Sequence, residues 1–287
     1  MLNINAPAKL NLYLKVLSKR SDGYHEIKTL FERIDLCDTI TVKLTDKNHV
    51  IRCNDPRVPT DKQGLIGRTV ARFVEAAGYG SYFDINISKK IPVAAGLGGG
   101  SSDAAAVLKG LNEITEKPLK KEKLIEIGRE LGADLPFFIN DYSFAYGKGR
   151  GDEIERGETS IEIAHILVNP PFEIHTGDIY SKVSAFSLTN TKGIDKMFNA
   201  FLKENDINAI AENICNDLQP IVLQEFSLLQ KVFVELKKAG AKGTLLSGSG
   251  PAIFGIFDKD VIKKAKKYLK TVFPLKEQWE VYDVYTY

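Results

Sequence analysis

The sequence predicts an α+β fold divided into two domains. Three observations carry this reading. The chain has 287 residues, enough for two domains or one large one. Strand-like and helix-like segments mix along it without a regular βα repeat, which argues against a doubly wound parallel sheet. A soft boundary lies near Arg156 to Ser160, so the domains are expected at 1–158 and 159–287. Hydrophobic residues make up 44% and charged residues 26%, the balance of a globular chain with a substantial core.

The elements follow in order. Asn11–Leu17 alternates, with Leu12, Leu14 and Val16 on one side, and reads as a strand. Ser18–Tyr24 contains Ser-Asp-Gly and reads as a turn. Ile27–Ile34, Thr39–Leu44 and Val50–Cys53 are further strands. Leu65–Ala77 is a helix with an Ile66, Val70, Phe73, Val74 stripe, closed by Gly78. Tyr82–Ile87 is a strand feeding a glycine run, and a helix follows to about Leu111. Lys120–Leu131 is a helix stopped by Gly132, and Ser143–Gly151 suggests a hairpin. In the second half Ile161–Val168, Lys242–Leu246, Ala252–Phe257 and Trp279–Tyr285 read as strands. Thr176–Ala185, Gly193–Phe201, Gln224–Ala239 and Val261–Leu269 read as helices, the last N-capped by Asp258.

The run Ile91-Pro-Val-Ala-Ala-Gly-Leu-Gly-Gly-Gly-Ser-Ser-Asp103 says most about chemistry. Glycine permits positive φ and close approach of a ligand. A helix starting at Ser101 or Ser102 would aim its unpaired N–H groups and positive dipole end at the loop, making a socket for phosphate. No lysine follows Gly100, so this is not a Walker A loop, and Ser101 stands where a Rossmann fingerprint needs its third glycine. A plain flexible turn is the competing reading, but four loop glycines carry a backbone entropy cost that such a turn would avoid.

Other features exclude whole classes. A net charge of +2 gives no global attraction for nucleic acid or anionic membrane. The basic cluster Lys263–Lys267 reads as a solvated helix face. Cys37, Cys53 and Cys215 form no C-x-x-C pair, which points to neither zinc nor redox chemistry and suits a reducing compartment. His49, His165 and His175 show no metal spacing. No apolar run approaches the roughly 18 residues of a membrane span. The amino terminus lacks a signal-peptide pattern, so a cytoplasmic protein is expected.

Three more segments complete a constellation. Lys9 and Asn11 lie two apart in Ala6-Pro-Ala-Lys-Leu-Asn11, hence on one face of a strand. Asp134 is the single acid in Leu131-Gly-Ala-Asp-Leu-Pro-Phe-Phe138, placed either for proton abstraction or as a helix N-cap. Leu246-Ser-Gly-Ser-Gly-Pro-Ala-Ile-Phe254 is a second glycine loop before a strand.

In this order the segments resemble the galactokinase, homoserine kinase, mevalonate kinase and phosphomevalonate kinase (GHMP) superfamily. Arg20-Ser-Asp-Gly-Tyr-His25 adds a resemblance to the members that act on a cytidine-diphosphate-linked methylerythritol. The resemblance implies a two-domain fold: an amino-terminal domain like ribosomal protein S5 domain 2 and a ferredoxin-like carboxy-terminal domain. It implies ATP and Mg²⁺ as cofactors and a small-molecule partner, with no nucleic acid or membrane. It implies Asp134 as general base with Lys9 beside it, and Asn11 orienting substrate. Tyr24 and His25 would recognise cytosine, with Tyr180 as a second aromatic wall and Thr176 a further acceptor contact. Lys90, Pro92, Val93, Ala94, Ala95, Gly96, Leu97, Gly98, Gly99, Gly100, Ser101 and Ser102 would hold the nucleotide, and the Ser102 hydroxyl the metal. Asp103 would either face the metal or point away. Gly64-Leu65 departs from the superfamily's usual Asn-Leu near the nucleoside. Another superfamily kinase, acting on mevalonate or homoserine, and a silent nucleotide sensor on the same fold are the alternatives.

Overall fold

The computed structural model describes residues 1–78, 80–116, 118–157, 159, 161–183 and 206–287. The helix expected at 193–201, and the end of the one expected at 176–185, lie outside the described residues.

Two sheets form the frame. The first has seven strands and is organised around a long hairpin, β1 (Leu2–Lys19) and β2 (His25–Thr45). β3 (Val50–Cys53), β4 (Tyr82–Ser88), the hairpin β5 (Phe144–Lys148) and β6 (Glu153–Arg156), and the two-residue β8 (Cys215–Asn216) join it. The two strands expected between Ile27 and Leu44 are one continuous strand. Its pairing with β1 shifts register between Pro7 and Ala8 and again between Asn11 and Tyr13, so bulges bend the hairpin without ending it.

Helices α1 (Leu65–Ala77), α2 (Gly99–Ile114), α3 (Lys121–Leu131) and the short α4 (Leu135–Asn140) belong to this half. They bury Phe73, Leu108 and Phe137 in one cluster with Ile40, Val42 and Phe83 of the sheet. The alanine run Ala104–Ala106 lets α2 lie close against the strands, and Gly110 permits the nearest approach: a Cβ there would stand 2.5 Å from Ile4.

The second sheet is antiparallel, in the order β11-β7-β10-β9, from β7 (Ala164–Asn169), β9 (Gly243–Leu246), β10 (Ile253–Phe257) and β11 (Glu280–Tyr285). With α8 (Leu229–Lys238) between β7 and β9, and α9 (Ile262–Val272) between β10 and β11, this is a ferredoxin-like arrangement. Its two faces are both buried. Leu167, Phe254 and Val284 meet Leu10, Leu12 and Leu30 of the first sheet, while Ile166, Val168 and Phe257 meet Val232, Leu236 and Leu269 of the helices.

The helix expected over 224–239 is two: α7 (Gln219–Glu225) ends at Phe226, whose ring stacks on Phe172, and α8 carries the Leu229, Val232, Leu236 stripe. Asp258 does not cap α9; its carboxylate pairs with Lys242 at 2.9 Å, and Val261 holds the cap position. α5 (Thr176–Ser181) and α6 (Ile207–Asn213) complete the described elements. Among the described residues, no helix is long and apolar enough to cross a membrane.

Candidate active site

Two glycine loops, one from each half of the chain, meet at the floor of a single cleft of about 1300 Å³. The first follows β4. Ala94, Gly96 and Gly98 take φ of 55°, 76° and 69°, and the loop turns into α2 at Gly99, two residues before the sequence suggests. Gly98 occupies the N-cap and no side chain caps the helix. The first helical bond runs from the Ser102 N–H to Gly98 O at 2.9 Å, so the N–H groups just before it stay available to an anion. Residues 92–101 line the cleft without interruption.

The second loop, residues 247–250, packs directly on the first. A Cβ on Gly96 would lie 2.1 Å from Ser247 O, so only glycine fits. The Ser247 hydroxyl donates to Gly96 O at 3.0 Å. From β8, the Asn216 amide donates to Leu246 O and Gly248 O at 2.8 and 2.7 Å, which ties the second loop to the first sheet.

Lys9 sits where the loops touch. Its Nζ donates to Asn11 Oδ1 at 2.5 Å and Gly96 O at 3.1 Å, and lies 3.9 Å from Asp134 Oδ2. Burial pulls the ammonium below its ordinary 10.5, and the Asp134 charge works against that pull. Asp134 precedes α4 at its N-cap position, yet its side chain makes no capping bond. The carboxylate is therefore free for other work, and its side chain is 30% exposed to the cleft against 6% for Lys9. Asn11 Oδ1 accepts from Lys9, and Nδ2 donates one N–H to Thr29 Oγ1 at 2.8 Å, which in turn donates to Tyr13 O. This geometry holds the lysine in place, and Asn11 itself lines the cleft.

At the other end of the cleft stand three rings. Tyr24 is on the turn before β2 and 55% exposed. The His25 ring lies 5.5 Å from that of Tyr180, tilted by 34°. Burial, then the Lys19 charge, lowers His25 from its ordinary 6.5, so the ring is neutral at pH 7. Burial and then the Asp134 charge raise the Tyr180 phenol, so it stays protonated. Thr176 Oγ1 and Ser249 Oγ share a 2.8 Å hydrogen bond that joins α5 to the second glycine loop. All of these residues line the cleft.

Two of the expected residues do not line it. Lys90 is exposed, and its backbone N–H is spent on Asp38. Lys89 lines the cleft instead, with Nζ held by Asp38 and by Asp103 at 2.7 Å. The strand's own alternation could have found it: Phe83, Ile85 and Ile87 point inward, and Lys89 continues that parity. Ser102 is 1% exposed and its Oγ has no hydrogen-bond partner. Asp103 does reach the cleft. Burial pushes its carboxyl up to about 8, although Lys89 opposes the shift. Arg57 and Arg150 also line the cleft and have no signature in sequence.

This constellation has known counterparts. The family model described as GHMP kinases N terminal domain matches residues 64–142, and GHMP kinases C terminal matches residues 198–275. A solved homoserine kinase from Cytophaga hutchinsonii shares the fold at TM-score 0.76 and 18% identity, covering 98% of this chain and 93% of its own. Closer in sequence is the 4-diphosphocytidyl-2-C-methyl-D-erythritol kinase of Caldicellulosiruptor bescii, 37% identical over 271 residues, or 94% of each chain. That of Geobacter sp. (strain M21) is 40% identical over 90% of each chain. A crystal structure of 4-(cytidine 5'-diphospho)-2C-methyl-D-erythritol kinase superposes at TM-score 0.79 and 28% identity, covering 99% of both chains. The chain belongs to the GHMP kinases, and within them to the family of 4-diphosphocytidyl-2-C-methyl-D-erythritol kinases.

Proposed function

We propose that this kinase transfers the γ-phosphoryl group of ATP to the 2-hydroxyl of 4-diphosphocytidyl-2-C-methyl-D-erythritol, in the non-mevalonate route to isoprenoids, with Asp134 and Lys9 as its catalytic pair. One observation carries the residue assignment: a buried ammonium 3.9 Å from an uncapped carboxylate, on the floor of a glycine loop that opens a helix. Phosphoryl transfer needs positioning and charge neutralisation more than covalent chemistry. The N–H groups of residues 96–101 and the positive end of α2 take the ATP phosphates. Asp134 accepts the proton of the attacking hydroxyl. Lys9 balances the charge that develops on the transferred group, and Asn11 and Gly96 O hold it to that task. Tyr24 and Tyr180 offer faces to a cytosine ring, and neutral His25 reads its polar edge.

The donor set also fits a divalent cation. Ser102 Oγ and Asp103 Oδ1, adjacent in the first turn of α2, are buried oxygens without a hydrogen-bond partner, the hard donor type Mg²⁺ takes. Bound there with nucleotide, the ion would neutralise phosphate charge. Lys89 keeps the second Asp103 oxygen occupied. The reading divides the chain at 158/159, and the three free cysteines suit the cytoplasm. The test is ATP consumption with the cytidylyl acceptor, with the product located by phosphorus NMR. A new phosphomonoester on carbon 2 supports the reading, whereas turnover of mevalonate or homoserine in its place would refute it.

A further inference from the structure

The turn between β5 and β6 carries an arginine that the transfer chemistry does not use. Gly149 and Gly151, at φ of 67° and 99°, make the turn tight. It is stitched to the beginning of β2: the Ile27 N–H donates to Gly149 O at 2.8 Å, and the Gly149 N–H to Glu26 Oε1 at 3.1 Å. Arg150 is thereby set beside Tyr24. Its Nη2 donates to Asp152 Oδ2 at 2.9 Å and to Arg129 O at 3.0 Å, and its Cζ stands 5.0 Å from the centre of the Tyr24 ring. Among the described residues, Nε and Nη1 meet no acceptor, and the side chain lines the cleft. No other ring or cation braces Tyr24 among them.

We propose that Arg150 determines affinity and specificity for the acceptor: its guanidinium backs one face of Tyr24, so that the ring stands ready as a platform for a base on the other, while its unpaired N–H donors favour an acceptor whose base is joined to phosphates. This rests on the reading that the Tyr24 end of the cleft takes the cytidylyl group. A mobile tyrosine on an exposed turn would have to be ordered at each binding event, and a flat cation held at two points removes that cost. Lysine cannot substitute fully, since it is a point charge without the planar fork.

Steady-state kinetics with 4-diphosphocytidyl-2-C-methyl-D-erythritol and ATP test this in Arg150→Met, Arg150→Lys, Tyr24→Leu and the double variant Tyr24→Leu/Arg150→Met. Arg150→Met should raise the acceptor KM about tenfold, with ATP KM and kcat little changed. Arg150→Lys should recover part of the loss. In the Tyr24→Leu background the Arg150→Met effect should shrink, because the two side chains act together. An unchanged acceptor KM, an equal rise in both KM values, or an effect of the same size without Tyr24 would overturn the proposal. Wild-type turnover is measured first. Its absence sinks the reading of the whole site, whereas turnover with an insensitive Arg150→Met variant sinks only the arginine.

Discussion

The two ends of the cleft are built differently. At the transfer end, Lys9 is in the middle of an 18-residue strand, 6% exposed at its side chain, and held by Asn11, Gly96 O and Asp134. At the acceptor end, Tyr24 is more than half exposed on a turn, His25 is the first residue of its strand, and Tyr180 belongs to a six-residue helix. On the proposed assignment, chemistry falls to a rigid, over-determined frame and recognition to termini and turns that tolerate change. The contrast means that substitutions at the first end should fall on kcat and those at the second on acceptor KM.

The largest effect is expected at Lys9. Lys9→Met removes the cation that lies between Gly96 O and Asp134, and kcat should fall on the order of 10³-fold, measured by coupled ATP turnover. An equal rise in acceptor KM with kcat intact would erase the contrast between the ends. Next is Gly96→Ala, where the new methyl carbon would stand 2.1 Å from Ser247 O at a φ of 76°. The two loops must part, which should cost about 2–4 kcal/mol in urea unfolding and lower kcat as well. Unchanged stability would show that the loops are not locked together. Tyr180→Leu should raise acceptor KM about tenfold through lost stacking while ATP KM holds.

The pH dependence sharpens the same contrast. The proposed role of Lys9 needs the cation and burial lowers its pKa, so kcat should decline with rising pH below the ordinary lysine value of 10.5. The proposed role of His25 needs a neutral ring and its pKa is also lowered, so acceptor KM should stay flat down to the ordinary histidine value of 6.5 and rise only beneath it. A KM already climbing between pH 8 and 6.5 would place the histidine's titration elsewhere.

Much of the transfer end was legible in the sequence because it follows from period and spacing. Lys9 and Asn11 share a strand face, and the glycine run opens a helix. What spacing could not supply was the choice between readings that depend on tertiary partners. Asp134 reads equally as a cap until its side chain is seen to make no capping bond. Asn11 reads as a substrate contact, and no spacing announces that its amide also braces Lys9 and bonds Thr29. The helix starts at Gly99 rather than at Ser101 or Ser102 because a left-handed Gly98 fills the cap position without any side chain. Strand parity from Phe83 to Ile87 selects Lys89, which lines the cleft, over its neighbour Lys90. In the second half, β8 has two residues and pairs with β1 some 200 positions away, a contact that no local pattern announces.

The proposed transfer chemistry turns on Asp134. Single-turnover transfer from ATP to the cytidylyl acceptor, compared between the wild-type enzyme and Asp134→Asn, isolates the proton-accepting step, because the amide keeps the shape and loses the base. A loss of at least about 10²-fold in rate with acceptor affinity preserved is the predicted result, and transfer within a few-fold of wild type would contradict it.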